Sequence, residues 1–107
     1  MRIMNDDKVV AHATYNSSGI PIYVEAEDTA SKHDLPYSLF NPFADVRRVP
    51  YDEFLYWVKQ RCFPENRQNK ERLLADLGLS EYDALEIVYR TNARMHVDSF
   101  WVDWETE

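Results

Sequence analysis

Cys62 lies in "RCFPENRQNKER", residues 61–72, next to Arg61 and ahead of Arg67, Lys70 and Arg72. A thiol between a cation and a proline-initiated helix could be acidified into a nucleophile. The competing reading is a small apolar side chain packed at a helix end, and the absence of any family cysteine signature around it favours that reading. The same island offers Lys59, Arg61, Arg67 and Lys70 to a phosphate backbone. Region 59–72 would then act like a helix-turn-helix, whose second helix enters the major groove. Metal binding needs clustered ligands. His12, His33, His96 and Cys62 show neither zinc-ribbon nor H-E-x-x-H spacing, so no metal and no cofactor is expected. Asp83 and Glu86 share a helix face, but a solvated face is a far more common explanation than an acid/base pair. No Ser-His-Asp arrangement, phosphate loop or dinucleotide fingerprint occurs, and no enzymatic activity is expected.

Charge narrows the choice. The chain has 107 residues and a net charge of −7. Residues 1–46 carry −4, residues 47–72 carry +3 and residues 73–107 carry −6. A duplex-binding protein usually shows a dominant basic face; here the dominant sign repels phosphate and favours basic partners. Two acidic groups could present carboxylates where nucleic-acid phosphates would sit in a cationic groove. One comprises Glu25, Glu27, Asp28 and Asp34. The other, in "DSFWVDWETE", comprises Asp98, Asp103, Glu105 and Glu107, with Trp101 and Trp104 as apolar anchors. No apolar run approaches the roughly 20 residues of a membrane span. No secretory h-region opens the chain, and a single cysteine excludes an internal disulfide. A cytoplasmic location is expected.

These residues need positioning elements. "KVVAHATY" (8–15) and "IPIYVEA" (20–26) flank the turn "NSSG", which predicts a β-hairpin with Pro21 on an edge. Residues 27–36 read as a polar loop. "YSLFNPF" (37–43) is broken by Pro42 and predicts irregular packing anchored by Leu39, Phe40 and Phe43. Three helices follow. In the first, 50–62, Pro50 suits the opening turn, and Phe54, Leu55, Val58 and Cys62 form the stripe. The second, 63–79, restarts at Pro64, pairs Arg67 with Glu71 and stops at Gly78. The third, 80–93, has Ser80 as N-cap, Tyr82, Leu85, Val88 and Tyr89 as its stripe and Asn92 as its end. The aromatic tail predicts a docked strand or extended segment. The expectation is one α+β domain over 1–107: an N-terminal β-hairpin packed on three short helices with a docked C-terminal segment.

Five stretches in order, "MNDDKVVAHA", "LPYSL", "YWVKQRCFPENR", "LLADLGL" and "DSFWV", resemble the segment that precedes the kinase domain in HipA-like proteins of Gram-positive bacteria. The core of the resemblance is Arg61-x-x-Pro64-x-x-Arg67 and a closing Asp98, Phe100 and Trp101. No catalytic loop or magnesium-binding acid motif accompanies them, and 107 residues are too few for a kinase domain. The resemblance therefore implies an accessory or interaction module in which Arg61 and Arg67 bracket a turn that orients two helices, with Arg67 bridging to a buried acid or carbonyl. The leading expectation is a non-enzymatic acidic protein-binding module, a phage or mobile-element inhibitor of a nucleic-acid-handling defence enzyme in the manner of anti-CRISPR proteins. The alternatives are a nucleic-acid-binding regulator using 59–72 and a toxin–antitoxin accessory module.

Overall fold

A computed structural model describes residues 1–41, 43–44 and 46–104. The strands are β1 (Arg2–Asn5), β2 (Lys8–Tyr15), β3 (Pro21–Ala26), β4 (Arg48–Pro50) and β5 (Phe100–Asp103). The helices α1 (Tyr51–Lys59), α2 (Lys70–Asp76) and α3 (Ala84–Thr91) lie between β4 and β5 in the chain. The strands form one antiparallel sheet in the order β4-β3-β2-β1-β5. The α+β expectation holds, but the hairpin of residues 8–26 is the middle of a larger sheet. Asp6, at φ 53, turns β1 into β2 and adds a strand on one side. β4 covers the other side, so Pro21 is not on an edge strand. The proline is tolerated because it opens β3, outside the Tyr23–Glu25 stretch that pairs with β4.

Pairing register decides which face is buried. Val102, Ile3 and Ala11 are aligned across three strands, as are Ala13, Val24 and Val49. All six are at most 8% exposed. The β1–β2 register skips Val10, and this bulge lets consecutive Val10 and Ala11 both be fully buried. The opposite face carries the row Asp103, Arg2, His12, Glu25 and Arg48, one residue per strand. Within this row Arg2 faces Asp103 and Arg48 faces Glu25, two modestly stabilising pairs of opposite charge.

Helix α1 closes the inner face with Phe54, Trp57 and Val58, spaced i, i+3, i+4. Asp52 and Glu53 sit in its first turn and Lys59 in its last, complementing the helix dipole. Pro50 is its N-cap and the last residue of β4. The long β3–β4 connection is loop-like but not peripheral, since Ala30, Leu35, Leu39 and Phe40 are buried. Trp57 Nε1 donates to Ser38 Oγ at 2.8 Å, and Arg47 donates to the Ala30 and Glu27 carbonyls at 2.9 and 2.7 Å. Phe43 is not an anchor: it is 98% exposed. Pro42 lies outside the described residues.

The other two helices are shorter than their apolar pattern suggests. Residues 63–69 form turns, and Asn69 adopts a left-handed φ of 64°, so α2 begins only at Lys70. Arg67 is off the helix, and among the described residues no ion pair links it to Glu71. Gly78 ends α2 as expected. Its N–H donates to the Ala75 carbonyl and the Leu79 N–H to the Leu74 carbonyl, the two bonds of a Schellman motif. Asp83, not Ser80, caps α3, accepting from the Leu85 and Glu86 amides. The buried face of α3 is Ile87 and Val88, whereas Leu85 and Tyr89 are 37% and 54% exposed. Asn92 ends it in the left-handed region.

Candidate functional site

The basic island divides into a structural half and an exposed half. Arg61 is 8% exposed. Its Nε donates to the Ala93 carbonyl at 2.7 Å, and its two terminal nitrogens grip Asp98 at 2.9 and 2.7 Å. One of them also donates to the Phe100 carbonyl at 2.9 Å, and the guanidinium lies 5.0 Å from the Trp57 ring centroid. Bidentate geometry and the additional carbonyls supply what a buried cation requires. Asp98 in turn accepts the Phe100 amide, while the Val102 amide donates to the Asn92 carbonyl. Three backbone groups on the outer edge of β5 are thereby occupied, closing that edge to another strand. The Arg61 guanidinium beside Asp98 holds its carboxyl below the usual range. The bridging arginine is thus Arg61; Arg67 is exposed in a turn. Lys59 is exposed at the end of α1 and Lys70 half-buried at the start of α2.

Of the acids singled out from the sequence, several are already partnered. Asp34 meets Lys8 Nζ at 2.8 Å and accepts the Ser31 amide, interactions that hold its carboxyl below the usual range. Glu27 meets His12 Nδ1 at 2.8 Å, and Glu25 lies 4.0 Å from Nε2 of the same ring. Asp103 pairs with Arg2 at 3.0 Å, and Asp98 belongs to Arg61. Asp28 is exposed on the loop. Trp104 packs edge-on to Phe54 and donates to the Val88 carbonyl at 3.2 Å. Trp101 donates to the Asp6 carbonyl at 2.7 Å and lies under the Arg94 guanidinium. Glu105 and Glu107 lie outside the described residues.

Cys62 is half-buried, 3.3 Å from the Tyr82 hydroxyl, and burial pushes its thiol pKa up. That direction is opposite to what a thiolate nucleophile needs. The Tyr82 hydroxyl donates to the Phe63 carbonyl at 2.6 Å. Desolvation, followed by the contact with Cys62, pushes its pKa up to about 12. Among the described residues no group of three or more His, Cys, Asp and Glu side chains could hold a metal ion. Among the described residues no helix is long and apolar enough to cross a membrane.

The surface that sequence reasoning missed is aromatic. Tyr37, Phe43 and Tyr56 are 60%, 98% and 70% exposed. A hollow of about 410 Å³ lies among Lys32, His33, Tyr37, Asn41 and Phe43. A second, of about 570 Å³, lies between Ser38–Leu39 and α1, with Tyr56 on its wall and Asp52 and Glu53 on its rim. The two flank residues 37–39. The Asn41 side-chain oxygen accepts the Phe43 amide at 3.0 Å. The sequence signal was the Asn41-Pro42 pair, a turn initiator immediately ahead of the phenylalanine.

Comparisons with family models, curated proteins and solved structures found no match to this chain.

Proposed function

We propose that this protein is a non-enzymatic module that binds another protein through the aromatic surface of Tyr37, Phe43 and Tyr56. The observation that carries the reading is the 98% exposure of Phe43. Fully burying such a side chain stabilises by about 1.5–3 kcal/mol, and this chain leaves that contribution unused. Exposed aromatics beside open hollows are the anchors that dominate protein interfaces. Asp52 and Glu53 border the second hollow, and the chain carries a net charge of −7. The partner is therefore a protein with an apolar pocket bordered by cations. A nucleic-acid-handling enzyme has such borders, so inhibition of a defence enzyme by a phage or mobile-element protein, in the anti-CRISPR manner, is the narrower form of the proposal. In that form the aromatics anchor the complex and the carboxylates steer it.

The test is capture by the tagged full chain from a bacterial lysate treated with nuclease, alongside Phe43→Ser and Tyr56→Ser. A protein retained by the wild type, released at high salt and lost from both variants supports the reading. Recovery of nucleic acid as the retained species, or a partner indifferent to both substitutions, overturns it.

A further inference from the structure

A second groove opens on the other half of the basic island. A cavity of about 310 Å³ lies where the turn after α1 meets the loop after α3. It continues into another of about 460 Å³, with which it shares Thr91, Arg94, Met95 and His96. Arg67, Arg94 and His96 line the first cavity together with the apolar side chains of Phe63, Met95 and Val97. Among the described residues lining the first cavity none is acidic, although the chain holds 19 acids; the acids of the second, Asp6 and Asp98, are not among the shared residues, and Asp98 is held by Arg61. The one lining cation matched by a carboxylate is Arg61, and Asp98 has already neutralised it. Among the described residues, neither the Arg67 nor the Arg94 guanidinium has a hydrogen-bond or ion-pair partner. Two guanidiniums without a counter-charge suit a dianion.

The loop bearing Arg94 and His96 starts from a residue fixed in place by the core. Ala93 adopts a left-handed φ of 55° and is fully buried. A non-glycine residue there costs on the order of 1–2 kcal/mol. Two bonds fix it: its amide donates to the Val88 carbonyl at 2.8 Å, and its carbonyl accepts from Arg61 Nε at 2.7 Å. The next residue, Arg94, is laid 4.3 Å over the Trp101 ring, which orients its guanidinium before any ligand arrives. Exposed Met95 and Val97 complete the apolar wall. The left-handed Ala93 is thus maintained by a buried cation and immediately precedes an exposed, oriented one.

From this juxtaposition we infer a binding site for a small organic phosphate monoester. The phosphate sits between Arg67 and Arg94, and the organic body lies against Phe63, Met95 and Val97. Phosphate matches the fork of an arginine through paired hydrogen bonds, and as a monoester it carries close to two negative charges at neutral pH. The cavity is at the lower end of the roughly 300–1,000 Å³ typical of small-molecule sites. The site is independent of the aromatic surface on the 32–43 loop, and either can fail without the other.

Titration of the ¹⁵N-labelled full chain with phenyl phosphate, inorganic phosphate and phenol tests it. Phenyl phosphate is expected to shift the amide resonances of Arg67, Arg94, Met95 and His96 and to bind more tightly than either fragment. Arg67→Gln and Arg94→Gln should each weaken it by about tenfold or more, the worth of a charge-assisted hydrogen bond. An unchanged melting temperature confirms that the variants fold; Arg67, on an exposed turn, carries the test should Arg94→Gln be destabilised. Absence of shifts at about 1 mM phenyl phosphate, equal binding of phenol, or affinity unmoved by both substitutions overturns the assignment.

Discussion

Arg61 and Arg94 each lie over a tryptophan, at 5.0 and 4.3 Å from the ring centroid, yet the surroundings give them opposite roles. Arg61 is buried and donates to Asp98 and the Ala93 and Phe100 carbonyls. Arg94 is exposed, and among the described residues its guanidinium bonds to none. Residue type and aromatic neighbour are the same, so the difference comes from burial and from what the backbone offers nearby. A desolvated guanidinium must satisfy its donors within the protein and becomes a structural part. A solvated one retains them for a ligand. The pair separates the cations that hold the fold from those free to act outside it.

Replacing Arg61 breaks this comparison most severely. Arg61→Met keeps the stem over Trp57 but strands Asp98 and two carbonyls. Urea unfolding is expected to show a loss of about 3–5 kcal/mol. A loss below about 1 kcal/mol would mean that water replaces the clasp. Asp98→Asn follows, at about 2 kcal/mol, because Asn keeps one acceptor but no charge. Its acid limb is diagnostic. The folded carboxyl is depressed by Arg61, so its stabilisation is complete above the unfolded value near pH 4. It is lost as pH falls through the lower folded value. Wild type should therefore lose part of its advantage over Asp98→Asn as pH falls below about 4. A gap between the two that stays constant with pH would contradict the clasp.

How much of this was legible follows from the same residues. The hairpin of residues 8–26, the first helix, the Gly78 stop and the Asn92 end were readable, because each depends on local chemistry. β1 and β4 were not. They are four and three residues long, and they become strands only through pairing with neighbours. The apolar run around Leu73, Leu74 and Leu77 suggested a helix starting at Pro64, but the left-handed turn at Asn69 overrode it. The role of Arg61 was hidden for a different reason: Ala93, Asp98 and Phe100 lie more than 30 residues away in sequence. The motif reading had given the bridging role to Arg67, three residues beyond Pro64, whereas the buried clasp is made by Arg61. Phe43 was misplaced because aromatic residues are usually buried, and only the turn chemistry of Asn41 argued otherwise.

Smaller effects sharpen the comparison away from the clasp. Gly78, at φ 76, ends α2, and an added Cβ would meet Arg90 Nη1 at 3.5 Å, an ordinary contact. The cost of Gly78→Ala is therefore one of backbone conformation, about 1–2 kcal/mol. A larger loss would show that the 3.5 Å contact is not tolerated, and no loss that the α2 stop relaxes.

The smallest expected effect is also the most informative. Arg94→Gln removes one exposed cation–π contact and no hydrogen bond to the described protein, so stability should change by less than about 1 kcal/mol in urea unfolding. Arg61→Met should lose several times that, although both substitutions take a guanidinium from a tryptophan. If the two losses prove similar, Arg94 is part of the fold, and the division between structural and available cations fails at the residue on which it most depends. If Arg94→Gln leaves stability in place while binding of phenyl phosphate falls, the same substitution shows that this guanidinium is held in position by the fold but is not needed to maintain it.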